Sequence, residues 1–196
     1  RPGSAHQLPA EVEVVTGDAL DAESYQAHVS PCDTFVHLVG VAHPSPSKAA
    51  LFRSVDLASA EAAVSAAESA AIANFVYVSV AQPAPVMRAY VEARRAAEAC
   101  IAASGLSGTV LRPWYVLGPR HYWPLVLLPL YWLSARIPRF RASAERLGLV
   151  RLSSMLRALV HAVEVGGSGA GGAGGAGGAG GGSGYRVLEV QDIRRF

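Results

Sequence analysis

Tyr90 and Arg94 stand four residues apart in AYVEARRAAEACIAASGL, a segment of helical composition that Gly105 stops. On a helix that spacing puts a phenol and a permanent cation on one face, where the cation favours the tyrosinate. The phenol could then give up or take a proton, but the guanidinium stays protonated and shuttles nothing. A plainer reading is equally open: the two side chains pair at i,i+4 on a helix surface and do no chemistry. Other chemistry finds less support. His37 alternates within a strand and reads as a core or sheet-face residue, and His43, His121 and His161 lie too far apart in sequence to suggest a metal site. A Gly-x-Ser-x-Gly nucleophile elbow between strand and helix is missing, which argues against a hydrolase.

The elements that must position Tyr90 and Arg94 surround them directly. Before the helical segment runs NFVYVSV, and after it SGTVLRPWYVLGP, both rich in β-branched and aromatic residues. Two apolar strands joined by one helix make a β-α-β unit, best satisfied by a parallel sheet covered on both faces. Upstream, residues 11–15 (EVEVV) read as a strand ending at Thr16-Gly17-Asp18, residues 22–29 as a short helix, residues 34–39 (TFVHLV) as a strand closed by Gly40, and residues 51–71 as a long Ala-rich helix. This alternation predicts an α/β fold with a doubly wound parallel sheet and right-handed crossovers. Residues 149–165 read as a helix, and residues 185–190 (YRVLEV) as a last strand. Between them, residues 166–184 repeat Gly-Gly-Ala, where no side chain can pack and a flexible tether is expected.

In open parallel sheets, ligands sit beyond the carboxyl ends of the strands. Those ends carry Asp18, the turn Leu38-Val39-Gly40, Ser79 with Val80 and Ala81, and the stretch from Pro113 through Tyr115 to Val116. Gly40, lacking a Cβ, would let a ligand approach the backbone. The composition, 51% hydrophobic and 16% charged over 196 residues, suits one sizeable core. A net charge of +2, with no basic cluster interleaved with aromatics, argues against a nucleic-acid surface. Cys32 and Cys100, without CxxC spacing, read as buried thiols of a reducing, cytoplasmic compartment.

Together these motifs resemble the atypical and extended short-chain dehydrogenase/reductases, particularly the NAD(P)H-binding, epimerase-like members related to an accessory subunit of respiratory complex I. VVTGDALD is similar to that family's strand-three turn, FVHLVG to its strand-four segment under the cofactor, and FVYVSV to its strand five. SVDLASAEAAVSAA resembles the helix that begins with Val-Asn, with Asp56 in place of the Asn. Tyr90-Val-Glu-Ala-Arg94 stands at the YxxxK position, and LRPWYVLGP matches LRPxxVxGP. The resemblance implies a Rossmann-type sheet over residues 1–119, a substrate-side segment over residues 120–165, the tether, and a terminal strand over residues 185–196. It also implies NADP or NAD as cofactor, a small-molecule substrate, and an oxidoreductase or epimerase acting on a carbonyl or sugar-like compound. Tyr90 would be the acid/base, Arg94 its electrostatic and ribose partner, and Ser79 a third catalytic hydroxyl. Asp18 and Ala19 would meet the adenine, while Leu38, Val39, Gly40, Pro113, Tyr115 and Val116 would line the cofactor's path.

The departures from the family pattern matter as much. Arg94 replaces the lysine, and Val80 and Ala81 follow Ser79 where further hydroxyls are expected. The Gly-rich loop of the first β-α-β unit is absent, so the sheet reads as N-terminally truncated, with weak dinucleotide binding expected of this chain alone. Arg1 would lie just after strand two, where an Arg often meets the 2′-phosphate of NADP. The resemblance therefore leaves a second class open, a catalytically degenerate nucleotide-binding scaffold or assembly protein docked at a membrane complex. For peripheral membrane contact the sequence offers the stretch from Tyr122 to Leu133 (YWPLVLLPLYWL), too short to span a bilayer and followed by Arg136, Arg139, Arg141 and Arg146. Pro124 and Pro129 interrupt the regular face an interfacial helix needs, so a buried lid over the substrate site is the competing reading.

Overall fold

The structure, a computed structural model, describes residues 8–84, 86–119, 126, 146–167 and 184–196. Strands β1 (Thr34–His37), β2 (Asn74–Val78), β3 (Gly108–Arg112) and β6 (Tyr185–Glu189) form one sheet in that order. All three pairings are parallel, with Phe35 opposite Phe75, Val76 opposite Thr109, and Val110 opposite Val187. The pleat sends alternate side chains of β2 to opposite faces. Phe75 and Tyr77 join Ala60, Val64, Ala67, Ala97 and Ile101 in one core, while Val76 joins Leu111, Met155, Ala158, Leu188 and Ile193 in the other. Each fully buried side chain of this size contributes roughly 1.5–3 kcal/mol. The first core lies under α3 (Ala58–Ser69) and α4 (Arg88–Ala103); the second lies under α5 (Leu152–Gly167) and α6 (Val190–Arg194). A parallel sheet covered on both faces is the arrangement that the β-α-β reading predicts.

Some elements differ from the sequence reading. Residues 11–15 are exposed and form no strand, because among the described residues no other strand runs beside them to take their backbone hydrogen bonds. The apolar run 109–116 is cut at Pro113: β3 stops at Arg112, and β4 (Tyr115–Leu117) belongs to a separate two-stranded sheet, paired in parallel with β5 (Leu149–Arg151). The predicted helix 149–165 therefore begins only at Leu152. The short helix 22–29 divides at Tyr25 into a 3-10 turn, Ala22–Ser24, and α1, Gln26–Val29. The thiols also depart from expectation. Cys32 is exposed, since it sits in the turn before β1 rather than in it, and Cys100 is half-buried on α4.

The long Ala-rich helix is continuous but not uniform. α2 (Ala49–Leu51) passes through a π-helical turn, Phe52–Leu57, into α3. There the Ala58 N–H reaches back five residues to the Arg53 carbonyl. Among the described residues no helix is long and apolar enough to cross a membrane. Arg1 and the stretch from Tyr122 to Leu133, apart from Val126, lie outside the described residues.

Candidate active site

A cleft of about 510 Å³ opens beyond the carboxyl ends of β2 and β3. Val78, Ser79 and Val80 form its floor, Pro113, Trp114, Tyr115 and Val116 one wall, and Met87 and Tyr90 another, with His43 and Pro44 at its rim. Ser79, Tyr90, Pro113, Tyr115 and Val116, picked out separately in the sequence, thus meet in one place. His43 and Met87 take left-handed backbone angles, φ 50° and 55°, which non-glycine residues adopt at a cost of order 1–3 kcal/mol. Two of the three such residues described lie on this cleft, the third being Ala71.

Ser79 follows the last residue of β2. Its hydroxyl is buried and has no hydrogen-bond partner. An orphaned donor in a cleft wall is costly unless something that enters the cleft uses it. Tyr90 sits in the first turn of α4, its ring 5.1 Å from that of Phe52 and 5.3 Å from the Arg94 guanidinium carbon. Burial pushes the Tyr90 phenol above its ordinary value, while Arg94 pulls it down and Asp56 pushes it up.

Arg94 is not part of the cleft wall. It lies on the buried stripe of α4 with Val91, Ala97, Glu98 and Ile101, and only 6% of its surface is exposed. This rules out the surface pairing of Tyr90 and Arg94 that the sequence left open. The guanidinium points inward: Nη1 donates to Tyr77 Oη at 3.2 Å and to the Val78 carbonyl at 3.0 Å, and Nη2 lies 2.6 Å from Asp56 Oδ1. Asp56 is fully buried, and its Oδ2 accepts from the Val41 N–H at 3.2 Å. Burial works against the Arg94 charge, but Tyr77, Tyr90 and Asp56 together hold the guanidinium protonated above its usual range. Burial also pushes the Tyr77 phenol to about 12. His37, stacked on Tyr77 at 5.6 Å and 3.4 Å from Ser59 Oγ, is pushed down to about 4 by burial and by the nearby Arg94 charge.

The remaining predicted positions lie elsewhere. A Cβ on Gly40 would stand 2.2 Å from Arg94 Nη2, so the crowding at this glycine comes from within the protein. Leu38 and Val39 are exposed just past β1, and Asp18 closes its own turn, accepting from the Leu20 N–H at 3.0 Å; none of these lines the cleft, nor does Ala19. Among the described residues no cluster of His, Cys, Asp or Glu is arranged to hold a metal. Sequence reasoning missed Asp56 and Tyr77 as partners of Arg94. The available signal was periodicity: position 94 falls on the same stripe as Val91, Ala97 and Ile101, so its charge had to find a partner inside.

The residues lining the cleft suit a nicotinamide, with the orphaned Ser79 hydroxyl and the Tyr90 phenol set in a mainly apolar lining. Arg94 lies outside that lining, and its Nη1 and Nη2 are turned to Tyr77, Val78 and Asp56, which does not suit the part of a ribose holder in this cleft.

Comparison with known proteins accords with this geometry. The NAD(P)H-binding family matches residues 1–120. A curated relative, the ceramide reductase of Caulobacter vibrioides (strain NA1000 / CB15N), is 30% identical over 128 residues, which is 65% of this chain and 39% of the relative. This chain therefore spans well under half of that protein's length. Solved structures share the Rossmann-type fold. The Bordetella bronchiseptica enzyme WbmH in complex with NAD+ is 18% identical with a TM-score of 0.61, covering 93% of this chain and 61% of that one. The UDP-N-acetylglucosamine 4-epimerase of Bacillus cereus is 15% identical with a TM-score of 0.60, covering 89% and 64%. A UDP-galactose 4-epimerase is 14% identical with a TM-score of 0.64, covering 95% and 64%.

Proposed function

The chain belongs to the NAD(P)H-binding family, and we propose that its cleft serves an NAD(P)-dependent oxidoreductase that interconverts a carbonyl and an alcohol. The observation that carries this reading is the buried, unpartnered Ser79 hydroxyl in the same cleft as Tyr90. The chemistry that a nicotinamide would supply there is hydride transfer to or from the substrate carbon. In the reducing direction the carbonyl π electrons move to oxygen, which takes the phenolic proton of Tyr90 while Ser79 donates a hydrogen bond to it. The nearby guanidinium favours the tyrosinate left behind, which regains its proton from solvent. Val78, Val80, Met87, Pro113, Trp114 and Val116 exclude water from the reacting atoms and suit a substrate with apolar groups flanking its carbonyl. That lining, and the reductase among the relatives, support carbonyl reduction over sugar epimerisation. Leu38, Val39 and Gly40 offer the dinucleotide an apolar path past β1, with Asp18 and Ala19 toward the adenine, and Arg1 is the candidate contact for a 2′-phosphate.

The first test is calorimetry with NADPH and NADH, on this chain and on a form extended with its upstream coding sequence. Binding, followed by NADPH-dependent reduction of an apolar ketone that falls roughly 10²-fold or more in Tyr90→Phe, is the expected result. Failure of both forms to bind either dinucleotide overturns the reading. A second reading, a nucleotide-binding scaffold without catalysis, is favoured by the inward commitment of Arg94. Binding with no reductase activity on any ketone, unchanged by Tyr90→Phe, would select it.

A further inference from the structure

A cation that assists a tyrosine and holds a ribose must face the cleft. Arg94 faces away from it. Its three inward contacts are made by residues from two elements: Asp56 on the π-helical turn, and Tyr77 and Val78 on β2. Asp56 is the only charged group among them, and Val41 fixes its other oxygen. Gly40, having no Cβ, makes room for the guanidinium beside Asp56, since a Cβ there would stand 2.2 Å from Arg94 Nη2. Tyr90 is then held between two surfaces, the Phe52 ring at 5.1 Å and the guanidinium at 5.3 Å, both anchored by the same turn.

We propose that Asp56 is the positioning residue of this site: it draws the Arg94 guanidinium inward beneath the Tyr90 ring, so that Arg94 braces the tyrosine and makes no contact with a bound dinucleotide. The inference rests on the reading of Tyr90 as the proton donor of the cleft. Arginine suits this place better than lysine, because its planar fork can meet a carboxylate, a phenol and a carbonyl at once while its face lies against a ring. An ammonium is a compact point charge and cannot do so.

The test reads Tyr90 itself. The 13Cζ resonance of Tyr90 in tyrosine-labelled protein, assigned by its loss in Tyr90→Phe, is followed through its titration in the parent protein, Asp56→Asn and Arg94→Lys, and NADPH affinity is measured in each. The groups facing the phenol are Arg94 and Asp56, with Tyr77 behind and His43 at the cleft rim. Freed from Asp56, the guanidinium is expected to leave the Tyr90 ring, and because its pull on the phenol exceeds the push of Asp56, the Tyr90 titration is expected to move to higher pH in Asp56→Asn. A move to lower pH, which loss of the carboxylate charge alone would give, overturns the positioning role. In Arg94→Lys the NADPH dissociation constant is expected to stay within about twofold of the parent. A Tyr90 titration that stays in place in Asp56→Asn overturns the proposal, and so does a tenfold or greater change in NADPH affinity in Arg94→Lys. Should Asp56→Asn fail to fold, the Tyr90 titration in Arg94→Lys decides: unshifted, it overturns the bracing role. If no form binds NADPH, the oxidoreductase reading fails while the tyrosine titration still judges the positioning role.

Discussion

Arg94 and Glu98 sit one turn apart on the buried stripe of α4, yet they belong to ion clusters of opposite character. The Arg94–Asp56 pair is sealed, with side-chain exposures of 7% and 0%. Glu98 joins a cluster open to water at its far end: it meets Arg112, which also reaches Glu189 at 2.8 Å, and Gln82 Nε2 donates to it at 2.8 Å. Arg112 is 21% exposed and Glu189 38%. The open cluster stitches α4 to β3 and β6; Arg112 or Glu189 left alone is partly rehydrated, and the buried Glu98 keeps its hydrogen bond from Gln82. The sealed one has no such escape. Losing either partner strands a charge in the core, so the pair constrains side-chain placement far more tightly than it adds to stability.

Breaking the sealed pair should therefore give the largest effect. Asp56→Ala is expected to lower unfolding free energy by about 3–5 kcal/mol in denaturant titration, since Arg94 would remain buried and uncompensated. A loss no greater than that of Arg112→Met would erase the contrast.

The histidine packed beside the sealed cluster should also confer acid sensitivity. His37, beside Tyr77 and Arg94, is depressed from 6.5 to about 4, so the stability it contributes is complete above pH 6.5 and is lost as pH falls toward 4. Over that window the unfolded chain takes up a proton that the folded chain refuses. The integrated loss is roughly 3 kcal/mol. Melting temperature should fall across pH 6.5 to 4 in the parent protein, and much less in His37→Phe; parallel slopes would show that acid acts elsewhere.

Cutting the open cluster sharpens the comparison from the other side. Arg112→Met is expected to cost about 2 kcal/mol in the same titration, the range of hydrogen bonds to charged groups. The smallest effect belongs to Arg195, 78% exposed and 3.4 Å from Asp192. Arg195→Ala should change stability by about 0.5 kcal/mol at most.

Which features could be read from the sequence follows from the range of the interactions that make them. β2, α4 and β3 declare themselves through local composition and the Gly105 stop, and Ser79, Tyr90 and Pro113 are placed simply by lying at the ends of those elements. The strand reading of residues 11–15 fails because alternation shows that a segment can pair, and pairing needs a neighbour. The run 109–116 hid a change of sheet at Pro113 because both strands are apolar. The inward turn of Arg94 depends on Asp56, 38 positions earlier, and on Tyr77 in another element. No local pattern joins the three.

The π-helical turn Phe52–Leu57 acts as a phase adjuster. An α-helix advances about 100° per residue, so one additional residue turns the helix after it against the helix before it by that angle. Three targets depend on the setting: Phe52 reaches Tyr90, Asp56 reaches Arg94, and Ser59 reaches His37. Deleting any single residue between 52 and 57 would make the hydrogen bonding more regular while swinging at least one of the three away from its target. What this Ala-rich helix encodes is therefore a residue count, one that tolerates many substitutions along its outer face and no change in length.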